Sequence, residues 1–131
     1  MIIYCDMDMV LCNFLKGALD VTGEPFPDKT GKLSKDEKKA IISSKKDFWD
    51  TLEWMPDGKK LWAHITKGGA DVRLLSAYAE WDSNCRRGKK VWVARNLKPK
   101  PNKIHLVRRE QKKDYANDDA VSYTHLRAHE T

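Results

Sequence analysis

Two acidic residues near the start of the chain, Asp6 and Asp8, have a spacing that could support nucleophilic and acid–base chemistry. They follow a short apolar run, residues 2–5, which is typical of a buried strand. Side chains alternate along an extended segment, so both carboxylates should point the same way. Ligands of open α/β sheets bind where such strands end. A close pair of carboxylates can hold Mg²⁺, and one can attack while the other transfers protons. A solvated acidic loop is the alternative interpretation.

The run Asp6-Met7-Asp8-Met9-Val10-Leu11 resembles the first motif of the haloacid dehalogenase (HAD) superfamily of phosphohydrolases. In that family the first Asp attacks phosphorus, and the second protonates the leaving group and later activates water. The resemblance therefore implies that Asp6 is the nucleophile and that Asp8 is the acid and base. It also implies that Mg²⁺ is bound by the carboxylate of Asp6 and the backbone carbonyl of Asp8, together with further acids. Met9 departs from the pattern, because the family usually has a small or polar residue there, often Gly.

A second stretch, Leu74-Leu75-Ser76-Ala77, resembles the second motif of the same family. There a Ser or Thr ends a hydrophobic strand, and its hydroxyl and neighbouring N–H groups hold the phosphoryl oxygens. The resemblance implies that Ser76 and Ala77 bind phosphate and that Ser76 takes part in catalysis. A Ser that ends a strand as a turn former is the alternative.

The third motif of the family is a Lys that offsets charge on the nucleophile and the phosphoryl group. Residues 107–116 resemble the segment that carries it in a phage and bacterial HAD group related to 5'(3')-deoxyribonucleotidases. Lys112 is therefore the expected catalytic and substrate-binding lysine, and Lys113 is the second choice. A charge on a helix surface would explain either lysine equally well.

The fourth motif, an apolar strand that ends in paired acids and completes the Mg²⁺ shell, has no clear counterpart. Asp118 and Asp119 are adjacent, but no apolar strand precedes them, so we interpret them as a turn. Residues 121–131 depart from the family and are similar to a translated sequencing adapter. We therefore expect a non-native tail, a missing last core strand, and a natural protein that continues further. His125 and His129 lack an evident third metal ligand, and their spacing is interpreted as incidental.

Strands that alternate with helices predict an α/β fold with a doubly wound parallel sheet. After the first strand a helix is predicted over about residues 10–21, and further strands over 71–76 and 103–107. Other helices are predicted to begin near Ser34, Asp57, Asp82 and Glu110. The resemblance implies one HAD-like domain over residues 1–120, with a small helical cap inserted at about 20–57.

The composition of the chain favours a single domain without a membrane span. It has 131 residues, of which 40% are hydrophobic, and no run approaches the roughly 18 apolar residues of a spanning helix. Cys5, Cys12 and Cys85 match neither a disulfide framework nor a zinc site. No basic segment of a signal peptide precedes the first strand. We therefore expect a cytoplasmic protein with reduced thiols and no membrane partner.

The net charge of +6 is concentrated in residues 84–113, which hold twelve Lys and Arg against one acid. A basic segment opposite an acidic loop suits a small phosphorylated substrate, and the resemblance favours a nucleotide. Trp49, Trp54 and Trp62 could stack a base, or could be plain core. Two other hypotheses remain: a non-catalytic module whose basic segment binds nucleic acid, and a truncated, inactive fragment.

Overall fold

Four parallel strands form one sheet in the computed structural model, which describes residues 1–27, 31–115 and 120–124. The strands are β1 (Ile2–Cys5), β2 (Asp71–Ala77), β3 (Lys103–Val107) and β4 (Ala120–Tyr123). Their order across the sheet is β3-β2-β1-β4, and all three neighbouring pairs are parallel. The predicted α/β class and parallel sheet are therefore confirmed, and the fold is Rossmann-like.

Within the described residues, four α-helices and one 3₁₀ helix connect the strands. They are α1 (Phe14–Thr22), α2 (Lys35–Ser43), α3 (Gly58–Thr66), α4 (Cys85–Asn96) and the 3₁₀ helix Arg109–Tyr115. The capping box predicted at the start of α2 is confirmed, because Ser34 and Glu37 exchange side-chain to backbone hydrogen bonds. Among the helices of the described residues, none is both long and apolar enough to cross a bilayer.

Helix α1 begins later than the predicted residue 10. Asn13 caps it by accepting a hydrogen bond from the backbone N–H of Lys16, and the chain before this cap forms a buried turn. The later start changes which side chains face the core: Ala18 is buried, whereas Leu15 and Leu19 are exposed. The apolar spacing that predicted one continuous helix therefore belongs partly to a turn.

The core lies on one face of the sheet. Side chains of alternate strand residues, including Cys5, Val72 and Leu74, share an apolar cluster with Trp62 of α3 and Trp92 of α4. Each of the five is almost fully buried, which is the usual fate of such residues in a packed α/β domain.

The opposite face of the sheet carries an aromatic group against the 3₁₀ helix. The ring of Tyr115 lies 5.8 Å from that of Tyr4 and 4.8 Å from that of His105, measured between centroids. Chain segments therefore cover both faces of the sheet, as parallel sheets require.

The expected absence of a last core strand is wrong, because β4 lies beside β1. The register pairs Ile2 with Ala120 and Cys5 with Tyr123. Val121 and Tyr123 have the β-branched and aromatic types that favour strands, and Tyr123 packs against the core. The prediction failed because the segment was compared with a family pattern rather than judged by its own alternation.

The three cysteines are free thiols and are buried. Burial raises the pKa of the Cys85 thiol to about 11 and holds the pKa of Cys12 well above its usual value. A protonated thiol is a poor nucleophile, so neither cysteine is suited to catalysis in the folded state.

Candidate functional site

The loop that follows β1 places both predicted acids at the carboxyl end of the sheet. Asp6 is the first residue after β1, and its backbone N–H donates to the carbonyl of Tyr123 on β4 at 3.0 Å. Met7 between the acids is fully buried, so the two carboxylates project away from the core. The carbonyl of Met7 accepts from the N–H groups of Leu11 and Cys12 at 2.8 and 2.9 Å, which closes the loop into a tight turn.

Met9 lies at the loop position where the HAD family usually has a small or polar residue, often Gly. Its φ of 62° lies in the left-handed region, where glycine is favoured over residues with a Cβ. The backbone conformation therefore explains why a glycine suits this position, and Met9 adopts the same conformation at a cost.

Asp6 forms an ion pair with the lysine predicted from the sequence. Its Oδ2 lies 2.8 Å from Nζ of Lys112 on the 3₁₀ helix, and its Oδ1 accepts from the N–H of Met7 at 2.7 Å. A cavity of about 230 Å³ opens beside this pair, with Tyr4 and Lys113 among its lining residues. The predicted nucleophile is thus fixed in orientation and has a cation within hydrogen-bond distance.

Asp8 forms an ion pair with a different lysine, one that sequence analysis missed. Nζ of Lys89 on α4 donates to Oδ2 of Asp8 at 2.9 Å, to Oγ of Ser76 at 2.7 Å and to the carbonyl of Ala77 at 2.9 Å. These three bonds use all three N–H groups of the ammonium. Lys89 therefore joins the first predicted motif to the second.

The sequence did contain a signal for Lys89. The buried residues of α4 are Cys85, Gly88, Lys89, Trp92 and Val93, which follow the helical spacing of an inward face. Lys89 is the charged residue on that face and is 2% exposed. A lysine on the buried face of a helix needs an acidic partner. This requirement distinguishes Lys89 from the other lysines of residues 84–113.

The charge of Lys89 is maintained by its surroundings. Burial works to lower its pKa, but the negative charges of Asp8 and Asp6 outweigh this, and the pKa is raised above the usual value for lysine. Lys89 therefore keeps a positive charge at the carboxyl ends of β1 and β2.

A close contact between α4 and Trp49 allows Lys89 to reach the sheet. A Cβ at Gly88 would lie 2.6 Å from Cβ of Trp49. Nε1 of Trp49 donates to Oδ2 of Asp82 at 2.7 Å, and Nζ of Lys89 lies 5.6 Å from the centroid of the Trp49 ring. Because Gly88 has no side chain, α4 can pack closely against Trp49, and this position brings Lys89 toward both acids.

A larger cleft, of about 480 Å³, opens beside Asp8 and Ala77. The aromatic rings that line it are those of Phe14, Phe26, Trp49, Tyr78 and Trp81. Cationic side chains also line it: Lys35, Lys39 and Arg109. We call it the aromatic cleft. It combines ring surfaces with positive charge next to one of the predicted catalytic acids.

Of the three tryptophans proposed to stack a base, only Trp49 lines this cleft. Trp62 is buried, and its Nε1 donates to the carbonyl of Pro99 at 2.9 Å. Trp54 packs edge-on against Trp92, with ring centroids 4.9 Å apart. Sequence analysis missed Trp81, which lies in the loop after β2 and acquires its place only through the fold.

The oxygen atoms around β1 fit a hard cation such as Mg²⁺. Oδ1 of Asp8 is buried and has no hydrogen-bond partner among the described residues, and Asp6 contributes a second carboxylate at the same strand end. Within residues 1–27, 31–115 and 120–124, no group of three or more His, Cys, Asp or Glu could hold a metal. At the end of β1 the described residues therefore offer two carboxylates. A Mg²⁺ ion bound by so few protein ligands commonly keeps several water molecules as its other ligands.

Four residues singled out in the sequence lie outside the described residues. They are Asp118 and Asp119, interpreted above as a turn, and His125 and His129, interpreted as incidental. The turn at Asp118 and Asp119 and the incidental spacing of the two histidines therefore stay predictions.

Comparison with known proteins adds no family assignment. A scan against models of known protein families matches none of them, and a search of curated proteins gives no significant match. Any function must therefore be argued from the residues and their geometry.

Proposed function

We propose that this chain is a Mg²⁺-dependent phosphomonoesterase of the HAD type that works through an aspartyl-phosphate intermediate. One observation carries the proposal: Asp6 and Asp8 each pair with a lysine at the carboxyl end of β1, and Lys89 links Asp8 to Ser76. Acids, hydroxyl and cations of these types are what transfer of a phosphoryl group from an ester requires.

In the first half-reaction a carboxylate oxygen of Asp6 attacks phosphorus. The new O–P bond forms as the bond to the leaving-group oxygen breaks. Asp8 enters this step with a proton on Oδ1, while Oδ2 keeps its hydrogen bond from Lys89, and it gives that proton to the leaving-group oxygen. Lys112, 2.8 Å from Asp6, restrains the nucleophile and offsets its charge.

In the second half-reaction Asp8, now a carboxylate, takes a proton from water. The oxygen of that water attacks phosphorus, the bond between phosphorus and Asp6 breaks, and inorganic phosphate leaves. Lys89 keeps Asp8 in place through both steps, since it holds Oδ2 and leaves Oδ1 for proton transfer.

The phosphoryl oxygens would be held by Ser76 and the backbone around Ala77. Ser76 is fully buried and shares Lys89 with Asp8, so its hydroxyl is fixed before substrate binds. When bound by the carboxylate of Asp6 and the backbone carbonyl of Asp8, Mg²⁺ would offset the negative charge that repels an anionic nucleophile from phosphate.

A nucleotide or another small aromatic phosphate ester is the substrate class we favour. The aromatic cleft begins at Asp8 and Ala77 and offers the ring of Trp81 for stacking. Phe26 and Trp81 are themselves stacked, with an interplanar angle of 21° and centroids 6.4 Å apart. Rings in this arrangement suit a planar leaving group.

The test is release of inorganic phosphate from p-nitrophenyl phosphate and from a panel of nucleoside monophosphates, with and without Mg²⁺. We expect metal-dependent release that Asp6→Asn lowers by at least about 1,000-fold, because the nucleophile is lost.

A matched control is Asp57→Asn, which removes an exposed carboxylate that makes no side-chain capping bond at α3. It should leave the rate unchanged. Absence of phosphate release from a folded chain would contradict the proposal, and so would release that survives Asp6→Asn.

A non-catalytic nucleic-acid-binding module is the second candidate, and one cavity favours it. This cavity, of about 320 Å³, is lined by Trp54, Lys59, Arg95 and Lys98, with Nζ of Lys59 at 5.8 Å from the Trp54 ring. A ring beside cations suits a stacked base and its phosphates. Binding of a single-stranded oligonucleotide that weakens steeply with salt, is reduced by Trp54→Ala and ignores Asp6→Asn would favour this candidate.

A further inference from the structure

We propose that the aromatic cleft accepts a leaving group with a second anionic group, so that the preferred ligand is a nucleoside bisphosphate rather than a monophosphate. The inference rests on the proposed function, because the first phosphate is taken to lie at Asp6. It adds a separate subsite, formed by Lys35 and Lys39 of α2, which none of the motifs includes.

The two lysines lie along one wall of the aromatic cleft. Nζ of Lys35 is 5.3 Å from the centroid of the Phe26 ring, and Nζ of Lys39 is 5.7 Å from that of Trp81. Their positions in α2 differ by four, so both side chains project from the same face of the helix. Two ammonium groups on one face, each beside a ring, can contact a single dianion.

The position of α2 is fixed by contacts at both of its ends. Nζ of Lys38, which is 1% exposed, donates to the carbonyl of Pro25 at 2.5 Å and thereby holds the segment that carries Phe26. At the other end Nδ2 of Asn84 donates to the carbonyl of Ser43 at 3.4 Å, and Oγ of Ser43, which donates to the carbonyl of Lys39 at 2.8 Å, lies 3.3 Å from the carbonyl of Trp81. The helix and both rings therefore form one wall.

The cleft has positive charge that the described residues do not neutralise. Asp8 is paired with Lys89, so Glu80 is the remaining acid of the lining. Lys35, Lys39 and Arg109 form no ion pair with any carboxylate in the described part of the chain. A ligand with extra negative charge would supply the missing partner.

The first phosphate does not need these cations. Lys112 and Lys89 already lie at hydrogen-bond distance from Asp6 and Asp8, where that phosphate would be attacked. Lys112 makes one hydrogen bond within the described residues and can give further ones to this phosphate, whereas Lys89 is fully used by Asp8, Ser76 and Ala77. The lysines of α2 are then left for a group at the far side of the base or sugar, as in a nucleoside 3',5'-bisphosphate.

The experiment measures binding rather than turnover, by titration calorimetry of the full chain in EDTA. Thymidine 3',5'-bisphosphate is compared with thymidine 5'-monophosphate, thymidine 3'-monophosphate and thymidine. We expect the bisphosphate to bind at least about tenfold more tightly than either monophosphate, as for two added charge-assisted contacts.

The double variant Lys35→Gln/Lys39→Gln should remove this advantage and leave monophosphate binding within about twofold of the parent. The control is Lys60→Gln/Lys67→Gln, which changes the net charge equally at two exposed lysines of α3 and its C-cap, outside the aromatic cleft. It should keep the advantage.

The outcomes separate this inference from the proposed function. A bisphosphate that binds no better than both monophosphates, or an advantage that survives Lys35→Gln/Lys39→Gln, overturns the inference even if phosphate is released. A lysine-dependent advantage without phosphate release supports the subsite and overturns the phosphatase.

Discussion

Lys89 places a charge on the buried face of a helix, and its effect should be visible in both activity and stability. We expect Lys89→Met to lower phosphate release by at least about 100-fold, since three contacts that fix Asp8, Ser76 and Ala77 are lost. The free energy of unfolding should fall by about 2 kcal/mol, because Asp8, whose side chain is 33% exposed, is left without its counter-charge.

Lys90→Met is the matched control for this variant, because Lys90 is the exposed neighbour on the same helix. Phosphate release and urea unfolding measure the two effects. Because the pKa of Lys89 is raised, its contribution to stability is present below about pH 10.5 and lost only above it. Loss of activity below about pH 9 in the parent would therefore have to come from another group.

His105 should make the stability of the fold depend on pH. Burial and the positive charges of Arg73 and Lys103 lower its pKa below the usual 6.5. As the pH falls, the unfolded chain takes up this proton first, so the folded state loses stability from about pH 6.5 downward.

The variant His105→Phe keeps a ring between Tyr4 and Tyr115 and removes both the titration and the buried Nε2, which has no partner among the described residues. Between about pH 7.5 and about pH 5, we expect the variant to lose less stability than the parent chain does. At the lower pH its free energy of unfolding should exceed that of the parent by about 1 kcal/mol. Thermal unfolding at several pH values measures it, with His64→Gln, on an exposed histidine, as the control. An unchanged pH dependence would exclude His105 as the cause.

At the scale of elements, the approach of α4 to Trp49 depends on Gly88. In Gly88→Ala the new Cβ would lie 2.6 Å from Cβ of Trp49, so the helix or the Trp49 segment must move. The better helix propensity of Ala offsets part of the cost, and we expect a net loss of about 1–2 kcal/mol in unfolding free energy.

The same shift would displace Lys89, so activity should fall together with stability in Gly88→Ala. Gly68→Ala is the control, because a Cβ at Gly68 meets nothing within 4 Å. Chemical unfolding and phosphate release measure the pair. Equal stability of the two variants would mean that α4 can move without cost.

Local signals in the sequence predicted most elements well. Ser34 and Glu37 identified the start of α2, and β3 lies over the predicted residues 103–107. The start of α1 was missed because Val10 and Leu11 are buried by a turn that happens to share the helical spacing. The spacing of apolar residues indicates which side chains are buried, but it does not separate a turn from a helix. Here the helix cap at Asn13 makes that distinction.

The candidate site could be predicted only where its residues adjoin strand ends. Asp6, Asp8 and Ser76 each follow or end an apolar run, which places them at the carboxyl edge of the sheet. Lys89 and Trp81 carry no such local mark, because their roles depend on contacts made across the folded chain. Lys112 was predicted through family resemblance, and the structure places it 2.8 Å from Asp6.

At the scale of the whole molecule, β4 covers the side of β1 that β2 leaves open and is itself an edge strand of the described sheet. A chain of residues 1–119 would lose β4 and expose the backbone groups of β1, whereas a chain of residues 1–124 would keep the pairing. We expect the shorter chain to self-associate and the longer one to behave as the full chain does. Size-exclusion chromatography with light scattering measures this. A monomeric shorter chain would mean that the β1 edge is protected in another way.

The pairing of the first strand with the last also has a consequence for synthesis on the ribosome. β2 and β3 are made in sequence, so β1 can pair on one side while the chain is still growing. Its other side must wait for residues 120–123, which follow after roughly 6–24 s at ordinary translation rates. During that time the nascent chain displays an unpaired strand edge beside an incomplete core, and such an edge is open to pairing with other chains.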